Sequence, residues 1–202
     1  MKRRDAIKRL GYAAGIVVAT PTVLGILNSC TTPIEQWTPQ FLSPRQGRLL
    51  TKLVDVFLPK TEQHPSANEL NVPEFIDRYV NEVYLDKDQQ KFEAAFDATS
   101  KVLTEHSGKK LGDVEEIDLQ KFLDKYLKVK GEIDEERLAN PSYKGMTTSE
   151  FLNIIKLLSI KAYLTTEKIG EDVLAYDPVP GAYYCSDLQE LTGGKSWSLD
   201  SN

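Results

Sequence analysis

Few side chains in this sequence have the type and spacing that chemistry needs, and the most suggestive is a thiol. Cys30 follows Leu27-Asn28-Ser29, the arrangement of a bacterial lipobox. There the thiol takes a diacylglycerol and the cysteine becomes the first residue of the mature chain. The alternative is an ordinary cysteine beside a signal-peptidase site. Once Cys30 is acylated, Cys185 has no internal partner and is either a buried or idle thiol or paired with another chain. His64 and His106 share no ligand spacing with each other or with Cys185, so no metal centre is expected. His106, near a helix end, reads as a solvated group favoured by the helix dipole. The sequence has no glycine-rich phosphate loop, no dinucleotide fingerprint, no Gly-x-Ser-x-Gly and no Cys-x-x-Cys-His. Asp134-Glu135-Glu136 reads as a solvated turn. No catalytic, cofactor-binding or metal-binding residue is therefore assigned to this chain.

The residues before Cys30 explain why a thiol there matters. Lys2, Arg3, Arg4, Lys8 and Arg9 stand against one acid, Asp5, and precede an apolar run from Gly11 to Leu27. Gly11, Gly15, Pro21 and Gly25 interrupt that run, which falls short of the roughly 20 apolar residues of a membrane span. The pattern is that of an export signal over residues 1–29. Arg3-Arg4 followed by Ile7-Lys8 fits the twin-arginine pattern, whose translocase carries folded cargo; an ordinary basic start for the general secretion route is the alternative. The expected location is periplasmic or cell-envelope, with the chain lipid-anchored to a membrane.

Charge narrows the partners. The leader holds five of the chain's 25 basic residues and one of its 30 acids, leaving 20 against 29 beyond it, a net of about −9. Such a balance argues against nucleic acid and against a polybasic membrane surface, leaving the lipid on Cys30 as the expected membrane contact. The remaining 173 residues make one domain of ordinary size.

Residues 30–44 hold three prolines and read as a tether, with Trp37 and Phe41 either free or docked on the body. The domain proper, residues 45–202, reads as a series of helices. Ser43-Pro44 is a helix start, and Leu49, Leu50, Leu53, Val54 and Phe57 recur at helical spacing up to Pro59. Pro73 opens a second helix with Phe75, Ile76, Tyr79, Val80 and Val83 on one face. Phe92, Ala95, Phe96, Val102 and Leu103 mark a third, ending near Gly108. A fourth runs over about 115–130 with Ile117, Phe122, Leu123, Tyr126 and Leu127 inward and Gly131 as its stop, followed by a loop over 131–146. Thr147-Thr148-Ser149-Glu150 has the capping-box form and opens a fifth helix, apolar nearly all round and so expected to be central. Val179 to Tyr184 suits a short extended segment. The predicted fold is all-α, a compact irregular helical bundle behind an N-terminal signal segment.

Beyond the fifth helix the sequence departs from what a plain bundle needs. Tyr163, Tyr176, Tyr183 and Tyr184 line a segment stiffened by Pro178, Pro180 and Gly181. Tyrosine joins a large apolar area to a polar tip and is enriched at interfaces. The segment is either an arm folded on its own domain or a partner surface.

Three blocks resemble the gluconate 2-dehydrogenase subunit 3 (gamma chain) family. They are Leu50 to Thr61, Leu70 to Asp77, and Tyr163-Leu164-Thr165-Thr166-Glu167-Lys168-Ile169-Gly170 running on to Tyr176-Asp177-Pro178-Val179-Pro180-Gly181. The third is the most specific. The resemblance implies a non-catalytic small subunit beside a large flavin-dependent dehydrogenase of the glucose–methanol–choline type, often with a cytochrome c subunit. FAD is then expected in the partner and no cofactor in this chain. It also implies that the small chain's twin-arginine signal takes a folded, flavin-loaded partner lacking its own signal across the membrane, to oxidise a sugar, sugar acid or polyol at the periplasmic face. The lipobox departs from this pattern by adding an anchor. From the residues alone, the alternative is a stand-alone envelope lipoprotein that binds a ligand or partner.

Overall fold

A computed structural model describes residues 37–127, 134–177, 179, 181–182 and 185–198. Arg3, Arg4, Cys30, Gly131, Pro178, Pro180, Tyr183 and Tyr184 lie outside the described residues. Chain contacts separate Met1–Trp37 from a unit spanning Thr38–Asn202, and the helices below belong to the second. It is all-α: no strand occurs among the described residues, and one isolated bridge joins Ala175 to Trp197.

Local chemistry starts and stops the helices as the sequence predicts. Helix α1, Pro44–Phe57, opens on a capping box: the Gln46 amide donates to Ser43 Oγ at 3.3 Å and the Ser43 amide to Gln46 Oε1 at 2.9 Å. Helix α2 is Val72–Val83, with Pro73 in its first turn. Helix α3, Asp86–Ser107, stops at Gly108, whose φ of 65° suits a residue without a Cβ. A 3₁₀ turn at Leu111–Asp113 leads to α4, Glu116–Leu127. The predicted 131–146 loop contains a further short helix, α5, Glu135–Ala139, capped by Asp134. Helix α6, Thr148–Leu164, has the expected capping box between Thr147 and Glu150. Two short helices complete the series, α7 at Glu167–Asp172 and α8 at Leu188–Thr192.

Helix α6 is the hub, touching α1, α2, α3, α4 and α7. Phe151 meets Phe92 and Phe96 of α3 with ring centroids 5.3 Å apart in both cases, edge to face, so three aromatic rings lock two helices. Only one stripe of α6 is fully buried, through Phe151, Leu152, Ile155, Ser159 and Ala162. Leu157 and Leu164 remain exposed despite the helix's apolar circumference.

Three face assignments need correction. Phe75 and Val83 are at least half exposed, because α2 turns Ile76, Asp77 and Val80 inward instead. Ile117 is likewise exposed, and Leu119 takes the inward position on α4. Val179, Gly181 and Ala182 form bends and no extended pairing.

The end of the tether is docked. Phe41 packs edge to face on Phe92 with centroids 6.3 Å apart, and Leu42 is buried. Asp77, only 1% exposed, makes this possible. Its carboxylate accepts backbone N–H bonds from Gln40 at 2.6 Å, Phe41 at 3.2 Å and Leu42 at 2.8 Å. A buried carboxylate needs such donors, and a strap without secondary structure needs an acceptor.

Candidate functional site

The Tyr163-to-Gly170 block is built to fix the direction in which the C-terminal arm leaves the bundle. Tyr163 is half-buried against the core, and its hydroxyl donates to the Pro65 carbonyl at 2.9 Å. Burial, reinforced by Glu69, pushes its phenol above the usual range. The Thr165 and Thr166 hydroxyls bond back to the carbonyls of Ala162 and Tyr163 at 3.0 and 2.8 Å, closing α6. Ile169 is buried on α7. A Cβ on Gly170 would stand 3.1 Å from Ser198 Oγ, so glycine there allows the C-terminal end to lie close against α7.

That end clasps the arm. The Ala175 amide donates to the Ser196 carbonyl at 2.9 Å, and the Ser198 amide to the Ala175 carbonyl at 2.8 Å. The chain between them is an excursion whose two ends are tied together. Its described part exposes Tyr176, Val179 (82% exposed), Leu188 (62%) and Leu191, with Trp197 at the clasp. A short helix carries Leu188 and Leu191 three residues apart, bounded by Asp187 as N-cap and Gly193 at φ 62°. Large apolar side chains left uncovered along one segment are a mark of an interaction surface.

Of the predicted interface residues, Tyr176 is exposed on this arm, while Tyr163 sits at its root with its hydroxyl engaged within the chain. Leu188, Leu191 and Trp197 join the surface without having been expected there. The signal for the two leucines was an apolar pair spaced for one helix turn between Asp187 and Gly193.

The buried alternative for Cys185 is corrected by the structure. The thiol of Cys185 is exposed. The His106 ring lies edge to face on Phe122, with centroids 5.6 Å apart. No grouping of three or more His, Cys, Asp or Glu suited to a metal occurs among the described residues. No helix among them is long and apolar enough to cross a membrane. An open cleft of about 550 Å³ between α1 and α4 holds Asp55 and Glu116. Desolvation first, and then Glu116, raises the Asp55 carboxyl above its usual range. Lys52 Nζ donates to the Val114 carbonyl at 2.7 Å on the cleft's edge.

Nothing matches the chain among curated proteins or among solved structures. A family model described as gluconate 2-dehydrogenase subunit 3 matches residues 44–181, from the first residue of α1 to the glycine that ends the Tyr-Asp-Pro-x-Pro-Gly run. With two thirds of its length matched, the chain belongs to the gluconate 2-dehydrogenase subunit 3 family, whose members are accessory subunits of a dehydrogenase complex.

Proposed function

We propose that the chain is the non-catalytic small subunit of a periplasm-facing, flavin-dependent dehydrogenase of the glucose–methanol–choline type acting on a sugar or sugar acid. It escorts the folded large subunit through the twin-arginine translocase on its own leader and tethers it to the membrane through lipid on Cys30. FAD belongs to the partner, and a cytochrome c subunit is a third member. The observation that carries this reading is the clasped arm. Family-typical residues create a rigid root, and beyond it Tyr176, Val179, Leu188 and Leu191 are left uncovered by their own domain. Obligate and regulatory interfaces concentrate aromatic and aliphatic anchors in this way.

Purification from the native membrane tests the reading, together with co-expression of any signal-less flavoprotein whose reading frame adjoins this one. The two chains are expected to co-purify in mild detergent, and Arg3→Lys with Arg4→Lys is expected to leave the flavoprotein in the cytoplasm. A chain that matures and localises normally with no flavoprotein attached would instead be a stand-alone envelope lipoprotein. Mass spectrometry of the mature N-terminus, expected to begin at acylated Cys30, checks the anchor.

A further inference from the structure

A second cleft, of about 1,550 Å³, opens between α1 and the C-terminal half of α3. Its lining runs against the charge of the whole molecule. Arg45, Arg48, Lys101 and Lys110 are exposed there, and among the described residues none has an ion-pair partner. Arg45 and Arg48 lie three residues apart at the start of α1, on one side of the helix. Two other cations of the cleft are already used: Lys52 on the Gly112 and Val114 carbonyls, and Lys109 on Asp118 and Glu115. Three acids also line it. Asp97 accepts from Gln46 Nε2 at 2.9 Å, and Glu105 and Asp113 have no ion-pair partner among the described residues. The Gln46 amide is neutral and leaves the Asp97 charge in place, so the four cations without an ion-pair partner among the described residues exceed the three acids by one, a small positive excess in a chain that is acidic overall.

The position of this excess points to its ligand. Arg45 and Arg48 come directly after the strap that Asp77 pins to the body, and the strap's first pinned residue, Gln40, follows Cys30 by ten positions. An extended chain spans at most about 3.5 Å per residue, so a lipid on Cys30 holds the start of the body within roughly 35 Å of the membrane. On so short a leash a cationic cleft needs only modest attraction to choose which face meets the bilayer, because tethering supplies the high local concentration. We propose that the α1/α3 cleft binds the phosphates of anionic phospholipid headgroups and so sets the orientation of the tethered domain. This rests on the reading of Cys30 as the lipidated residue. It places the membrane-facing side on α1 and α3 and leaves the arm to the partner.

The test uses the mature protein from its native membrane, reconstituted in vesicles of phosphatidylcholine alone or with about one third phosphatidylglycerol, and followed by amide hydrogen exchange. In the anionic vesicles, exchange in residues 45–52 and 101–110 is expected to slow by about tenfold. Salt at about 0.5 M should reverse the slowing. The Arg45→Glu/Arg48→Glu/Lys101→Glu/Lys110→Glu variant should lose it, with exchange in the core of α6 unchanged as the control for folding. A control Lys144→Glu/Lys161→Glu variant should keep it. Equal exchange in the two vesicle types overturns the proposal. So does a cleft variant that keeps its lipid selectivity but sheds the flavoprotein, since the cleft would then be a protein-docking site. An unacylated N-terminus found by mass spectrometry refutes the anchor separately. Flotation of that unacylated chain with the same vesicles then asks the cleft question alone.

Discussion

Asp77 shows how much one side chain can decide. It replaces the missing secondary structure of residues 40–42 by accepting three of their backbone N–H groups while almost fully buried. Asp77→Ala strands those donors, and a loss of about 3 kcal/mol is expected in urea unfolding. Asp77→Asn, which keeps one oxygen acceptor, should lose less, and strap amides should exchange faster in both. A second effect at this scale depends on pH. The hydrogen bond from Lys109, then the Glu115 backbone N–H, holds the Asp118 carboxyl below its ordinary value of 3.8. Its stabilisation is therefore present above that value and is lost as pH falls through the lowered one. Asp55 behaves oppositely, since its folded-state value is raised. Its ionisation opposes folding at neutral pH, and that cost disappears below its ordinary value of 3.8. Asp55→Asn should stabilise the protein at pH 7 by about a few tenths of a kcal/mol after solvent screening, with the gain vanishing near pH 3. Thermal unfolding across that range checks the sign.

Among the elements, α6 is held at its start more firmly than a capping box alone would achieve. Thr147 caps Glu150 and also bonds the Asp134 carboxylate, while Glu136 accepts from the Thr148 amide at 2.7 Å. Arg137 joins Glu150 at 2.6 Å, closing the loop before the helix. Thr147→Ala should cost about 1–2 kcal/mol, measured by denaturant unfolding. The capping boxes of Ser43 and Thr147 and the Gly108 stop were legible because caps are read within four residues. The network from α5 was not, because its partners lie more than ten residues away. Gly170 bears on another element, the clasp. Gly170→Val places a larger side chain where Ser198 Oγ stands 3.1 Å from a Cβ and should free the C-terminal end. Limited proteolysis is expected to cut the arm faster in this variant while the bundle stays intact.

At the scale of the molecule, a bundle centred on α6 presents an apolar arm at one place and a cationic cleft at another. Val179→Glu with Leu188→Glu should alter stability by less than about 0.5 kcal/mol, since both side chains are exposed. Partner co-purification should nevertheless fail. If binding survives, the interface lies elsewhere, and the exposed Leu157 and Leu164 of α6 are the next candidates. Tyr176 was legible as a surface anchor because its neighbourhood is rich in tyrosine and proline. The clasp that holds it was not, since Ala175 and Ser196 are brought together only by the fold.

What the sequence by itself determined is what short range controls. Helix starts and stops follow from caps, prolines and glycines, the all-α class from apolar spacing, and family membership from three blocks of residues. The tertiary structure alone decided which side of each helix is buried, turning Phe75, Val83 and Ile117 outward, since a helix's inward arc depends on the neighbours it meets. It alone docked the strap on Asp77, closed the arm between Ala175 and Ser198, and gathered into one cleft four cations that have no ion-pair partner among the described residues. Each of these joins residues far apart in the chain, and no local pattern records such a meeting.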